Sequence, residues 1–209
     1  MKQGGTGGAN TNANGLKFES NTDLAKKIVD ELSDKYELKE HIFPESLVKP
    51  IASKAPVYDV YNKSTKILVG IITKQKQFYN ILFEVYGLKN IHSKTWKPDE
   101  VFFNLARNTV FIVEKKWQQT NGSVDEKLFG FNAKRILYQE IFNQIDNEPN
   151  IPIEFATLLN SWYWLEGNYY DKNGIIKNNT VSYHDYFNSL RNNGIRIMFD
   201  DYDYWWFGL

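Results

Sequence analysis

Asp99, Glu114 and Lys116 are the residues of this chain whose types and spacing could do chemistry. They lie in PDEVFFNLARNTVFIVEKKW, residues 98–117, where two apolar runs flank a polar turn near Ala106–Asn108. Alternation along TVFIVEKKW puts Val110, Ile112, Glu114 and Lys116 on one face of a strand, and Phe111, Val113, Lys115 and Trp117 on the other. Both faces are apolar, so the strand is expected to be central and covered on both sides. An acid and an ammonium at its end then cost desolvation unless something pairs with them. In an antiparallel hairpin the start of the first strand meets the end of the second, which brings Asp99 to Glu114. Two converging carboxylates without Cys or His nearby suit Mg²⁺ or Mn²⁺, and the Lys115 carbonyl, between the two motif side chains, is a further candidate ligand. A cation so held activates water and stabilises charge on a phosphodiester. Lys116 would orient or deprotonate the water, or hold the phosphate. The plain alternative is a hairpin with surface charges at one end, since E-x-K alone is common. Glu100 points away from the face of Asp99 and is expected to be a solvated neighbour.

Several elements must position this hairpin. Leu24, Ile28 and Leu32, four apart, predict a helix starting near Gly15, or at a Ser20 or Thr22 cap with Asp23 in its first turn. Pro44, Pro50 and Pro56 punctuate a loop-rich connection. PVYDVYN and TKILVGIIT read as two β segments around a polar turn at Asn62–Ser64. KQKQFYNILFEVYG reads as a helix closed by Gly87, with Phe78, Ile81, Leu82 and Val85 inward. Residues 123–145 predict a long helix, with Ser123 and Glu126 spaced as a capping box. IEFATLLNSWYWL reads as a buried strand or strand pair, SYHDYFNSLRNNG as a short helix stopped by Gly194, and IRIMF as a last strand. This order predicts one α/β domain over residues 15–209, a mixed sheet flanked by helices. The Gly/Asn-rich residues 1–14 read as a flexible or ligand-ordered arm.

The full pattern is more specific than its parts. PDEVFFN…TVFIVEKKW, with Glu-x-Lys beginning fifteen positions after the Asp, resembles the PD-(D/E)XK nuclease motif. The resemblance implies a restriction-endonuclease-like fold, with Asp99, Glu114 and Lys116 catalytic and Asp99, Glu114 and the Lys115 backbone at the metal. EKKWQQTNGSVDEKL resembles the segment after the catalytic lysine in a subset of type II restriction endonucleases, where a glutamine follows by two positions, here Gln118. GGANTNANGLKFE resembles the start of such enzymes, and a first-helix glutamate that approaches the metal would be Glu19. The resemblance thus implies Mg²⁺-dependent, site-specific hydrolysis of double-stranded DNA, with Mn²⁺ a possible substitute. Cutting both strands of a palindrome implies a homodimer. A structure-specific repair or resolvase-type nuclease, and a non-catalytic DNA-binding protein, are the alternatives.

Charge distribution bears on the partner. The chain is neutral overall, yet residues 66–116 hold nine Lys/Arg against four Asp/Glu, and residues 146–209 hold four against nine. Three of the four acids in the basic segment are Asp99, Glu100 and Glu114, so a bound cation would leave a field that favours a polyanion. Asn10, Asn12 and Asn14 in the arm could order on DNA or belong to a disordered tail. Gln118, Gln119 and Asn121, past the site, could touch bases or simply connect to the next helix. Lys94 and Lys97, flanking the hairpin, are the expected phosphate contacts. The acidic, aromatic tail DDYDYWWFGL is expected to dock on the core or form a dimer interface.

Other chemistries find little support. No cysteine exists, which removes disulfides and thiolates and fits a cytoplasmic location. The histidines at 41, 92 and 184 are too scattered for a zinc site. The glycines at 4, 5, 7 and 8 follow no strand and precede no Gly-Lys-Ser/Thr, which argues against a nucleotide loop. No apolar run is long enough to span a membrane.

Overall fold

Strand alternation governs the architecture. In a computed structural model that describes residues 8–120, 124–145, 150–178 and 183–209, successive side chains of the central strands enter two separate cores. The elements run α1 (Gly8–Asn21), α2 (Leu24–Glu31), β1 (Tyr36–Glu40), β2 (Tyr58–Asn62), β3 (Leu68–Thr73), α3 (Gln77–Tyr86), β4 (Glu100–Asn104) and β5 (Thr109–Lys116). Then follow α4 (Val124–Phe142), β6 (Ile153–Leu159), α5 (Ser161–Trp164), β7 (Asn168–Tyr170), β8 (Ile176–Asn178), α6 (His184–Asn192), β9 (Ile195–Phe199) and α7 (Tyr204–Phe207).

A seven-stranded mixed sheet has the order β1-β2-β3-β4-β5-β6-β9. Neighbours from β1 to β5 are antiparallel, and β5-β6 and β6-β9 are parallel. Val110, Ile112 and Phe155 face one core with residues of α3, α4 and α6, including Phe78, Phe131, Tyr138 and Leu190. Phe111, Val113 and Leu158 face the other, with Leu24 and Ile28 of α2 and Phe207 of α7. The chain is thus a mixed α/β fold with helices on both faces of the sheet. β5 lies between an antiparallel and a parallel neighbour and is buried along most of its length, as its apolar faces predict.

Three expectations change. The N-terminal helical signal is two helices, not one. Asp23 caps α2, its Oδ1 accepting from Lys26 N at 3.0 Å, so neither Ser20 nor Thr22 is the cap of that helix. α1 occupies residues 8–14 of the stretch read as an arm, and Phe18 anchors it on the second core, so tertiary contact overrides the poor helix propensity of Gly and Asn. β1 and the β7-β8 hairpin carry too few apolar residues to show as strands in sequence. Residues 1–7, with Gly4, Gly5 and Gly7, lie outside the described residues, as do Asn121 and Ser123 of the capping box. The side chains of Asn10 and Asn12 also lie outside that description.

The tail docks on the core. Phe207 is fully buried, Trp206 meets Phe111 edge-on at 4.8 Å, and Asn104 Nδ2 donates to the Phe207 carbonyl at 2.8 Å.

Candidate active site

β4 and β5 pair with Glu100 opposite Val113, so Asp99, just before β4, meets the end of β5. There Asp99 Oδ2 accepts from the Lys115 backbone N at 2.8 Å. This bond fixes the carboxylate against the strand that carries the second acid. Lys116 Nζ lies 3.4 Å from Asp99 Oδ2, 3.3 Å from Glu114 Oε2 and 2.7 Å from the Lys115 carbonyl oxygen. One ammonium therefore collects the two carboxylates and the carbonyl that the sequence nominates as metal ligands.

Helix α4 roofs this cluster. Phe131 presents its ring 5.6 Å from the Lys116 ammonium, and Lys134 Nζ lies 2.9 Å from Glu114 Oε1. Glu114 is almost fully buried, and its Oε1 accepts no hydrogen bond despite that cation, because the contact lacks hydrogen-bond geometry. Beside it on β6, Thr157 is fully buried and its hydroxyl is likewise unpartnered among the described residues. Both oxygens of the buried Glu114 carboxylate thus face an ammonium, Lys134 at Oε1 and Lys116 at Oε2, which offsets the cost of burying the charge.

The electrostatics follow from this crowding. Burial pulls the Lys116 pKa down, but the charges of Asp99 and Glu114 outweigh it and leave it above the ordinary lysine value. Glu19 projects from α1 into a 320 Å³ pocket that Asp99 also lines. Its partial burial, and then the negative charge of Asp99, raise its pKa above the ordinary glutamate value.

Glu100 is the largest correction. It is only 2% exposed, not solvated, and Lys115 Nζ lies 2.7 Å from its Oε1. Lys115 Nζ also donates to the Thr22 carbonyl at 2.6 Å and the Glu19 carbonyl at 3.2 Å. Glu100 Oε1 accepts a long bond from Leu24 N, at 3.4 Å. Alternation sends Glu100 and Lys115 under the junction of α1 and α2, where both are almost fully buried. The pair ties the helices to β4 and β5.

The expected DNA-contacting residues separate. Gln118 is buried, with its Nε2 donating to Thr120 O at 2.8 Å and its backbone clamped by the Asn160 amide at 2.8 and 2.9 Å. Its side chain faces inward, because β6 covers the strand end. Gln119 and Asn14 meet, Asn14 Nδ2 donating to Gln119 Oε1 at 3.3 Å. Lys94 and Lys97 stand exposed in the loop before β4. His92 turns inward to the Leu137 carbonyl at 2.8 Å. Sequence reasoning missed Lys134 and Thr157. Phe131, Lys134 and Tyr138 at i, i+3 and i+7 on α4 are a stripe that signals the lysine, whereas Thr157 needs the strand register.

Among the described residues no group of three or more His, Asp or Glu side chains is arranged to hold a metal. The donors present are Asp99, Glu114 and the Lys115 carbonyl, a hard-oxygen set of the kind that binds Mg²⁺ through one or two carboxylates with water completing the shell. By the chemistry of this donor set the residues fit a divalent cation, which Asp99, Glu114 and the Lys115 carbonyl would hold. No curated protein and no solved structure matches the chain. The profile of the PD-(D/E)XK nuclease superfamily domain matches residues 24–142, from α2 through α4, and so takes in Asp99, Glu114, Lys116 and Lys134. Nucleases of this superfamily generally use divalent metals and the domain implies a DNA substrate. A mixed sheet flanked by helices and a matching domain over more than half of its length make this chain a member of the PD-(D/E)XK nuclease superfamily.

Proposed function

We propose that the protein is a Mg²⁺-dependent endodeoxyribonuclease of the type II restriction class, acting as a homodimer on duplex DNA in the cytoplasm. The observation that carries the catalytic reading is the convergence of Asp99, Glu114 and the Lys115 carbonyl on one point, 2.7–3.4 Å from the Lys116 ammonium. Asp99 and Glu114 would hold the cation, with Mn²⁺ as a substitute and Glu19, which shares a pocket with Asp99, as a further candidate. The cation, when bound, supplies an acidified water and neutralises charge on the phosphate.

The chain's own residues do the rest. Lys116 is placed to hold a nonbridging phosphate oxygen and to orient the attacking water. The water oxygen adds to phosphorus as its proton passes to solvent, and the bond to the leaving sugar oxygen breaks, that oxygen taking a proton from solvent water. The Asp99 bond to Lys115 N and the Lys134 cation keep the two carboxylates in place through the reaction. Lys94 and Lys97 supply phosphate contacts at the approach to the site.

The resemblance of the segment through Gln118 to restriction enzymes supports the finer reading. Plasmid DNA incubated with the protein and Mg²⁺ tests it. Discrete fragments, and a particle of twice the chain mass by light scattering, are expected. A smear or cleavage confined to branched DNA overturns the restriction assignment and leaves a structure-specific nuclease. DNA retention without cleavage under any divalent metal overturns catalysis.

A further inference from the structure

Helix α1 separates two hollows. The 320 Å³ pocket opens on Asp99 and Glu19, while a larger cleft of 510 Å³ lies on the other flank. Four rings line the larger cleft: Phe18 of α1, Trp117 directly after Lys116, Trp162 of α5 and Tyr170 of β7. All four are half-buried, so the cleft offers aromatic surface that is neither core nor fully exposed. The rings of Trp162 and Tyr170 lie 5.2 Å apart at 32°.

The polar lining is amide-rich and carries both signs of charge. Asn14 and Gln119 touch through one hydrogen bond, which leaves the Gln119 amide nitrogen and the Asn14 amide oxygen without a partner among the described residues. Lys17 adds a cation and Asp200 an anion, the latter already accepting from Ser161 N at 2.9 Å through one oxygen. The carboxylate disfavours a bare phosphate and suits a ligand with amino donors. The Asn160 clamp on the Gln118 backbone holds the wall rigid. Aromatic faces with amide donors and acceptors are the chemistry of a heterocyclic base, stacked on rings and read along its edge. The volume falls within the range of small-ligand sites.

We propose that this cleft receives a nucleobase unstacked from the DNA. The inference rests on the nuclease reading of the neighbouring site. Trp117 directly follows Lys116 at the end of β5, so the base belongs to a nucleotide close to the one that is cut. Trp162 and Tyr170 stack on it, and Gln119 and Asn14 meet its hydrogen-bonding edge.

The test compares a fully paired duplex with the same duplex carrying one unpaired adenosine, each bound in Ca²⁺ without turnover. Wild type is expected to bind the bulged duplex about tenfold more tightly, the size of one aromatic stack. Trp162→Ala should bring that ratio to within twofold, and Trp162→Phe should keep most of it, with circular dichroism showing both folded. Tyr170→Ala serves as the second variant should Trp162→Ala not fold. Equal binding of the two duplexes, or an undiminished preference in the folded Ala variant, overturns the cleft assignment. Cleavage of plasmid by the same preparation separates the two ideas. Cutting without a bulge preference sinks the cleft alone, whereas neither cutting nor binding sinks both.

Discussion

Lys115 and Lys116 are adjacent in sequence and leave β5 by opposite faces, each into a different set of acids. Lys115 reaches Glu100 at 2.7 Å beneath the α1-α2 junction, and Lys116 reaches Glu114 at 3.3 Å and Asp99 at 3.4 Å under α4. The first pair is almost fully buried, while the Lys116 side chain is 22% exposed at the strand end. Adjacent positions of one strand thus serve two separate clusters of charge.

Replacing the catalytic charges should abolish chemistry while sparing the fold. Lys116→Ala and Glu114→Gln are expected to slow single-turnover cleavage by about 10²–10⁴-fold, the usual worth of a positioned catalytic group. DNA binding should change much less. Cleavage within tenfold of wild type for both variants would contradict the assigned roles.

The buried pair should behave in the opposite way. Lys115→Ala leaves Glu100 at 2% exposure without its ammonium partner, and unfolding in urea should show a loss of about 3–5 kcal/mol. The double change Glu100→Leu with Lys115→Met removes both charges together and should cost far less. Equal losses in the single and double variants would show that the pair is not coupled.

A divalent cation should stabilise the folded protein through Asp99 and Glu114. At a Mg²⁺ or Mn²⁺ concentration a hundredfold above the dissociation constant, linkage gives about 2.7 kcal/mol and a raised melting temperature. Asp99→Asn should abolish that rise, and EDTA should abolish cleavage. A metal-induced rise of the same size in the Asn variant would place the cation elsewhere.

His41 should make stability depend on pH at the far end of the sheet. Its Nδ1 lies 2.7 Å from Asp59 and its Nε2 lies 2.9 Å from Glu84. Burial lowers its pKa, but the bonds to Glu84 and Asp59 outweigh that and raise it above the ordinary 6.5. The folded state therefore binds the proton more tightly than the unfolded state does. The stabilisation is complete below about pH 6.5 and is lost as pH rises through the folded value. Urea midpoints at pH 5.5 and 8.5 should show this loss in wild type and a smaller one in His41→Ala.

Gly70 should tolerate no side chain. A Cβ there would sit 2.2 Å from the Phe103 carbonyl oxygen and 2.5 Å from the Phe102 ring. The nearest contact is backbone in the neighbouring strand, which cannot swing aside. Gly70→Ala is expected to lower stability by about 1–3 kcal/mol or more, and an unchanged thermal midpoint would refute the clash.

The convergence of Asp99, Glu114 and Lys116 is legible in the sequence. Alternation alone placed Glu114 beside Lys116, and hairpin pairing alone brought Asp99 to them, because both depend on residues near in sequence. The stop at Gly87 and the inward face of α3 were legible for the same reason. Covering helices decided the rest. Whether Glu100 met water or Lys115 depended on where α1 and α2 settled, far upstream in the chain. Lys134 became a neighbour of Glu114 only when α4 folded back over the strand it follows. The aromatic cleft draws on α1, the end of β5, α5 and β7, four segments that no local period links. Local geometry sets which side of a strand a residue occupies, and only packing between distant segments sets what it meets there.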